Sequence, residues 1–125
     1  MIILRQFSDL VGCVLRDVTA SGDEFTLTLE DGTVARLFHG PQCCEHVELH
    51  DVNGDLADLV GTPIVIAEES SSSEEKPDDW RPDHEPDSWT WTFYRLGTVK
   101  GTVVLRWLGQ SNGYYSERVD FAHEP

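Results

Sequence analysis

Basic residues and long apolar runs are both scarce in this sequence. It has nine lysines and arginines against 23 aspartates and glutamates, for a formal net charge of -14 over 125 residues. Because phosphate contacts need lysine and arginine, this shortage argues against direct binding of a nucleic-acid duplex. No apolar run approaches the ~20 residues that a membrane-spanning helix needs. We therefore expect a single soluble domain over residues 1–125, with no membrane partner.

Cysteine is sparse, and its count is odd. Cys13, Cys43 and Cys44 do not form the even disulfide framework of a small secreted domain, and two of them are adjacent. Residues 1–6 are too few for the apolar region of a signal peptide and have no basic stretch before them. The sequence therefore predicts reduced thiols and a cytoplasmic location.

The motifs of common enzymes are missing as well. There is no phosphate-binding glycine loop, no paired metal-carboxylate motif and no serine-nucleophile elbow. One cluster has residue types that suit zinc or a Cys–His nucleophile pair, although its spacing matches no familiar site. It comprises His39, Cys43, Cys44, His46 and His50. We expect a non-catalytic protein without metal or other cofactor, in which this cluster is a buried thiol beside surface histidines, with metal or thiol chemistry as the alternative.

Alternating apolar residues predict strands along most of the chain. Residues 25–29 alternate, Asp31-Gly32 marks a hairpin turn, and residues 34–38 return as the partner strand. The next predicted elements are a strand over residues 47–52, a short helical turn over residues 56–60 and a strand over residues 63–67. We therefore predict a mainly β fold (β-rich α+β), an antiparallel twisted sheet or half-barrel with one or two short helices.

Residues 68–87 have a different character. They hold nine acids and two bases, which is half of the net charge of the chain, and they show no apolar periodicity. Such a segment cannot bury enough surface to offset the entropy of ordering it, so we expect a mobile acidic loop. Mimicry of DNA is an alternative, but it would require charges held at fixed spacing on rigid structure.

Apolar alternation in the last third of the chain predicts a three-stranded antiparallel meander over residues 88–96, 102–108 and 114–121. Alternate residues of a strand share a face, so one face of the meander would be apolar and form the core. This predicted core face contains Trp89, Trp91, Phe93, Val103, Leu105, Trp107, Val119 and Phe121. The opposite face would be polar.

That polar face is our candidate ligand site. Tyrosine rings can stack on a nucleobase, arginine offers a two-pronged donor to phosphate, and hydroxyls can bond phosphate or ribose. The candidate residues are Thr90, Thr92, Tyr94, Arg106, Asn112, Tyr114, Tyr115, Ser116 and Arg118. They predict a small anionic, nucleotide-like ligand, although an ordinary solvent-facing sheet would have a similar composition.

Several motifs resemble a family. They are Cys43-Cys44-Glu45, Asp51 with Gly54-Asp55, Leu59 with Gly61, Ala67-Glu68, residues 88–94 (SWTWTFY), Lys100-Gly101, Arg106-Trp107 with Gly109, and residues 111–117 (SNGYYSE). Over residues 39–121 the chain is similar to a widespread set of small phage and prophage proteins classed as a domain of unknown function. Leu108 stands where an aromatic residue is common in that set, and Gly97 where alanine is common. The resemblance implies a phage or prophage origin and a location in the host cytoplasm, and it transfers no catalytic residue.

Two functions remain open from these observations. Small phage proteins without enzymatic motifs are often accessory or counter-defence factors, and by analogy this one could sequester a nucleotide-like ligand. Alternatively, its acidic surface could inhibit a host protein by occupying a basic, nucleic-acid-binding cleft or by binding a defence protein. Four tryptophans, three tyrosines and five phenylalanines exceed what a small sheet buries on one side, so a homo-oligomer is also expected.

Overall fold

The computed structural model describes residues 3–73 and 87–124. The strands of these parts are β1 (Leu15–Ser21), β2 (Glu24–Leu29), β3 (Val34–Phe38), β4 (His46–Asn53), β5 (Ile66–Ser72), β6 (Ser88–Thr98), β7 (Gly101–Ser111) and β8 (Asp120–Glu124). They form two antiparallel sheets, a first sheet in the order β1-β2-β3-β8 and a second in the order β4-β7-β6-β5. One hydrophobic core includes buried side chains from both sheets. The predicted mainly β, antiparallel fold is confirmed, with two sheets instead of one.

Short 3-10 turns take the place of the predicted helices in the described residues. They span Phe7–Leu10 and Leu56–Leu59. The second lies where a helical turn is predicted, and the side chain of Asp55 caps it by accepting a hydrogen bond from the backbone N–H of Ala57. Within the described residues no helix combines the length and the apolar character needed to cross a membrane.

The first predicted hairpin is confirmed. Phe25 of β2 pairs with Leu37 of β3, and the turn between the strands contains Asp31 and Gly32. The Asp31 carboxylate accepts hydrogen bonds from the backbone N–H and the hydroxyl of Thr33, at 2.9 and 2.6 Å. Gly32 has a φ of 90°, which a residue with a side chain rarely adopts, so the Asp-Gly sequence itself specifies this turn.

Strand β5 corrects the prediction for the acidic segment. The strand expected over residues 63–67 begins later, at Ile66, and extends to Ser72, so the first residues of the predicted loop are paired with β6. An edge strand needs a partner on one side only and tolerates charged, exposed side chains, which hide it from a search for apolar alternation. The rest of the predicted mobile loop, residues 74–86, lies outside the described residues.

The predicted meander is only partly right. Strands β6 and β7 form the expected hairpin, but β8 starts at Asp120 and pairs with β3 of the first sheet. The second neighbour of β7 is β4, where Leu49 lies opposite Trp107. The chain therefore crosses from one sheet to the other between Ser111 and Asp120, and residues 114–118 are not the third strand of a meander.

The prediction of which residues of β6 and β7 share a face is wrong, because the two strands pair one residue away from the register that it requires. The hairpin turn has two residues, Val99 and Lys100, so odd-numbered residues of β6 pair with even-numbered residues of β7. A shift of one residue moves every side chain of a strand to the other face. Thr92 lies opposite Trp107 and faces the core, whereas Arg106 lies opposite Phe93 on the outer face. The prediction that Arg106 shares a face with Thr90, Thr92 and Tyr94 is therefore incorrect.

Candidate functional site

A cleft of about 390 Å³ opens between the β5 edge of the second sheet and the chain that leads into β8. This volume lies within the range of small-molecule sites. The cleft is lined by Glu69, Ser71, Thr90, Thr92, Tyr94, Glu117, Arg118 and Val119. Two strands and one irregular segment thus supply the polar groups of a single concave surface.

Paired residues of β5 and β6 form the floor of the cleft. Glu69 lies opposite Tyr94, and Ser71 lies opposite Thr92, so these side chains meet on one face of the second sheet. The Tyr94 hydroxyl bonds to Glu69, and burial, followed by this bond, raises the pKa of Tyr94 far above its usual range. The phenol therefore remains a hydrogen-bond donor at all physiological pH values.

Glu117 closes one side of the cleft and is held by three contacts. The Thr90 hydroxyl donates to Oε1 at 2.7 Å, and the Ser111 hydroxyl donates to Oε2. Gly109 of β7 lies so close that a Cβ there would be 2.5 Å from the carbonyl oxygen of Glu117. The absence of a side chain at Gly109 therefore allows the segment from Glu117 to Val119 to lie directly on the sheet.

The charges of the cleft are two carboxylates and one guanidinium. Glu69 and Arg118 are exposed, while Glu117 is half-buried. Thr90, Thr92 and Ser71 add hydroxyls, which can both donate and accept hydrogen bonds. The Tyr94 ring at the floor offers no face for stacking, because it is 1% exposed and packs edge-on against Phe7 at 4.7 Å.

The structure brings together four of the nine predicted ligand residues. Thr90, Thr92, Tyr94 and Arg118 line the cleft, but the expectation that Tyr94 stacks on a base is incorrect because the ring is buried. The predicted residues outside the lining are Arg106, Asn112, Tyr114, Tyr115 and Ser116. Sequence reasoning missed Glu69, Ser71, Glu117 and Val119 as lining residues.

The polar side chains of the turn after β7 form hydrogen bonds with the backbone of neighbouring residues. Asn112 Oδ1 accepts a hydrogen bond from the Tyr114 N–H at 3.0 Å, and Ser116 Oγ accepts one from the Arg118 N–H at 3.2 Å. The rings of Tyr114 and Tyr115 contact each other with centroids 5.1 Å apart. Tyr114 is 84% exposed.

Arg106 belongs to a separate cluster on the outer face of the second sheet. Its guanidinium carbon lies 5.2 Å from the centroid of the buried Trp91 ring, and its Nη2 donates to His50 Nδ1 at 3.0 Å. The rings of His50 and Trp91 meet edge-on at 5.2 Å. This arrangement makes Arg106 part of the packing on that face.

A buried hydrogen-bonded pair, Glu45 and His39, contacts the backbone of Arg118. The Glu45 side chain is fully buried and accepts hydrogen bonds from the backbone N–H groups of Gln42 and Cys43 and from His39 Nε2. His39 Nδ1 faces the carbonyl oxygen of Arg118 at 2.7 Å. A carbonyl and an ionised carboxylate only accept hydrogen bonds, so both ring nitrogens of His39 face an acceptor. The Cys43 N–H, followed by His39, lowers the pKa of Glu45 to about 2.

Two predictions for the cysteines and histidines need correction. The sulfurs of Cys43 and Cys44 are bonded to each other, while Cys13 is free and half-buried, so the expectation of reduced thiols fails for the adjacent pair. The cluster is not a buried thiol beside surface histidines either, since both bonded cysteines are exposed and His39 is almost buried. Among the described residues, no group of three or more His, Cys, Asp or Glu side chains could hold a metal ion.

Comparison with known proteins identifies a family for the chain. The model of a family described as Domain of unknown function (DUF7448) matches residues 8–121, a range that includes every residue lining the cleft. No curated protein and no solved structure matches the chain. Because the matched range covers most of the sequence, the chain belongs to this family of unknown function.

Proposed function

We propose that the protein is a non-catalytic binding protein, and that its cleft holds a small, hydroxyl-rich ligand with one anionic group. A nucleoside monophosphate or a sugar monophosphate has this chemistry. The observation that supports the proposal is the convergence of Arg118, two carboxylates and three hydroxyls around one open volume.

Each group of the cleft has a matching role. The guanidinium of Arg118 can bind a phosphate through two parallel hydrogen bonds. Ionised Glu69 and Glu117 only accept hydrogen bonds, so they suit the hydroxyls of a sugar and repel a second phosphate. The proposal therefore narrows the nucleotide-like ligand expected from the sequence to one with a single phosphate.

A binding assay against matched compounds tests this proposal. Calorimetry would compare a nucleoside monophosphate, a sugar monophosphate, the corresponding nucleoside and free inorganic phosphate. We expect binding of at least one monophosphate and clearly weaker binding of its phosphate-free and sugar-free parts. Arg118→Gln should weaken that binding at least about tenfold, the usual effect of losing a hydrogen bond to a charged group.

The matched control is Arg95→Gln, because Arg95 is also exposed but faces Glu68 outside the cleft. The affinity of the Arg95→Gln variant for the same monophosphate should stay within about twofold of the affinity of the original protein. The proposal is wrong if no compound of the panel binds, or if the two substitutions weaken binding equally. Mass spectrometry of small molecules released by heating the purified protein would provide a second, unbiased route to the ligand.

A second candidate function is inhibition of a host protein. Ten acidic residues but only five basic residues are exposed in the described parts of the chain. Such a surface complements a basic, nucleic-acid-binding cleft. This function predicts a stoichiometric complex that weakens as salt is raised, and a complex insensitive to salt would contradict it.

The resemblance to phage and prophage proteins supports a cellular setting for either function. In a host cytoplasm, a protein that only binds its ligand would act by sequestering it, as an accessory or counter-defence factor. Assembly into a homo-oligomer remains part of this proposal, and size-exclusion chromatography with light scattering would test it.

A further inference from the structure

Cys43 and Cys44 are adjacent, exposed and bonded to each other in the loop that joins β3 to β4. This Cys loop (residues 39–45) leads from the first sheet to the second, because β3 and β4 lie in different sheets. We propose that Cys43 and Cys44 form a reversible dithiol–disulfide site, and that its oxidation state controls the order of the backbone at residues 116–118.

A short chain of hydrogen bonds connects the two places. The backbone N–H of Cys43 donates to Glu45 Oε1 at 2.8 Å, and Glu45 Oε2 is 2.7 Å from His39 Nε2. The other ring nitrogen of His39 bonds the carbonyl oxygen of Arg118 at 2.7 Å. One carboxylate and one imidazole ring therefore separate the Cys43 backbone from that of Arg118.

A second connection runs through Gln42. Its backbone N–H donates to Glu45 Oε2 at 2.8 Å, and its side-chain Oε1 accepts a hydrogen bond from the Ser116 N–H at 3.4 Å. The Cys loop thus contacts residues 116–118 at two points. A change in the order of Gln42 and Cys43 would loosen both points together.

The chemistry needs only a dithiol as partner. A thiolate of the reductant attacks one sulfur of the Cys43–Cys44 bond and forms a mixed disulfide, which the second thiol of the reductant resolves. One sulfur–sulfur bond breaks and one forms, and two electrons and two protons pass from the reductant to the cysteine pair. The reduced loop loses the covalent bond that restrains Cys43, so the N–H groups aimed at Glu45 become less ordered.

Cys13 does not compete for this role. It is half-buried, and its Sγ faces the backbone carbonyl of Asp9 at 3.9 Å. Burial raises the pKa of the Cys13 thiol, which lowers the fraction of reactive thiolate. Cys13→Ser is therefore the matched control.

Thiol counting tests the site. The purified protein is equilibrated with either the oxidised or the reduced form of dithiothreitol, then denatured, alkylated and weighed by mass spectrometry. We expect one alkylated cysteine after oxidation and all three after reduction, and in Cys13→Ser none and two. Three alkylated cysteines in the oxidised sample would overturn the proposal.

Hydrogen exchange tests the coupling. In the reduced protein, the amides of Cys43 and Ser116 should exchange about tenfold faster than in the oxidised protein, while the amide of Leu27 in β2 should not change. Cys44→Ser should show the fast exchange under both conditions. Equal exchange rates at Ser116 in oxidised and reduced protein would overturn the proposed control of residues 116–118. Neither test requires the ligand of the cleft, so failure of one proposal is distinguishable from failure of the other.

Discussion

Gly109 of β7 lies directly beneath Glu117, and a methyl group added at Gly109 would be 2.5 Å from the carbonyl oxygen of Glu117 and 2.7 Å from its Cβ. A Cβ atom essentially never approaches a non-bonded heavy atom this closely, so either the backbone at Glu117 or the strand must move. Since Glu117, Arg118 and Val119 form one wall of the cleft, the position of that wall depends on the absence of a side chain at Gly109.

Gly109→Ala should therefore destabilise the protein and displace the wall. Overpacking of a tight contact typically costs about 1–3 kcal/mol, and chemical denaturation would measure the loss. The control is Gly40→Ala, because a methyl group at Gly40 would meet nothing closer than 4.0 Å. Similar stability of the two variants would show that the wall is not held against the sheet.

The hydrogen bond from the Thr90 hydroxyl is a second contact that fixes the position of Glu117. Thr90→Val keeps the shape of the side chain but removes the donor that bonds Glu117 Oε1 at 2.7 Å. Loss of a hydrogen bond to a carboxylate should lower the free energy of unfolding by about 1.5–3 kcal/mol. Thr26→Val, in the half-buried middle of β2, should change it much less. An equal effect at both positions would mean that the bond to Glu117 adds no stability.

The sequence allowed prediction of features that depend on local pattern. Residues 25–29 alternate strictly, the Asp31 carboxylate and Gly32 specify the turn that follows, and the hairpin with residues 34–38 forms there. Strand β5 could not be found in this way, because its serines and glutamates are stabilised by pairing with β6. That strand supplies Glu69 and Ser71, and half of the floor of the cleft was therefore missed.

Which residues of β6 and β7 share a face depends on the exact length of the turn between the two strands. The alternation of each strand was evident, but only the two-residue turn fixes which residues lie opposite each other. Arg118 lies in the same cleft as Thr90 and Thr92, but it does not share a strand face with them as the sequence predicted. It reaches the cleft on an irregular segment, and no signal in one sequence gives the path of such a segment between two sheets.

Arg106 should act on stability and not on ligand binding. Arg106→Ala removes the contact with the Trp91 ring and the hydrogen bond to His50, and together these should cost about 1–3 kcal/mol. Because Arg106 lies on the outer face, affinity for a monophosphate in the cleft should be retained in the folded variant. Calorimetry below the melting temperature separates the two effects. Abolished binding in a folded Arg106→Ala protein would place the ligand on the outer face.

Acid should weaken the fold through Glu45. Its pKa is about 2 in the folded protein and near 4.5 for an unperturbed glutamate, because the Cys43 N–H and then His39 stabilise the ionised form. A depressed folded pKa contributes stability that is present above about pH 4.5 and is lost as the pH falls toward 2. The free energy of unfolding, measured by denaturant titration at pH values from 7 to 2, should fall over this window.

Glu45→Gln isolates this contribution. The amide has one oxygen instead of two, so it cannot accept from Gln42, Cys43 and His39 in the same geometry, and the variant should be less stable at pH 7. Its stability should also fall less steeply between pH 4.5 and 2, since the titrating group is gone. Some slope should remain, because hydrogen bonds from Arg5 and Gln6 to Asp9, and from Thr33 to Asp31, lower the pKa values of those carboxyls too. If Glu45→Gln had the same acid profile as the original protein and as the exposed control Glu30→Gln, the hydrogen bonds would not lower the pKa of Glu45 in solution.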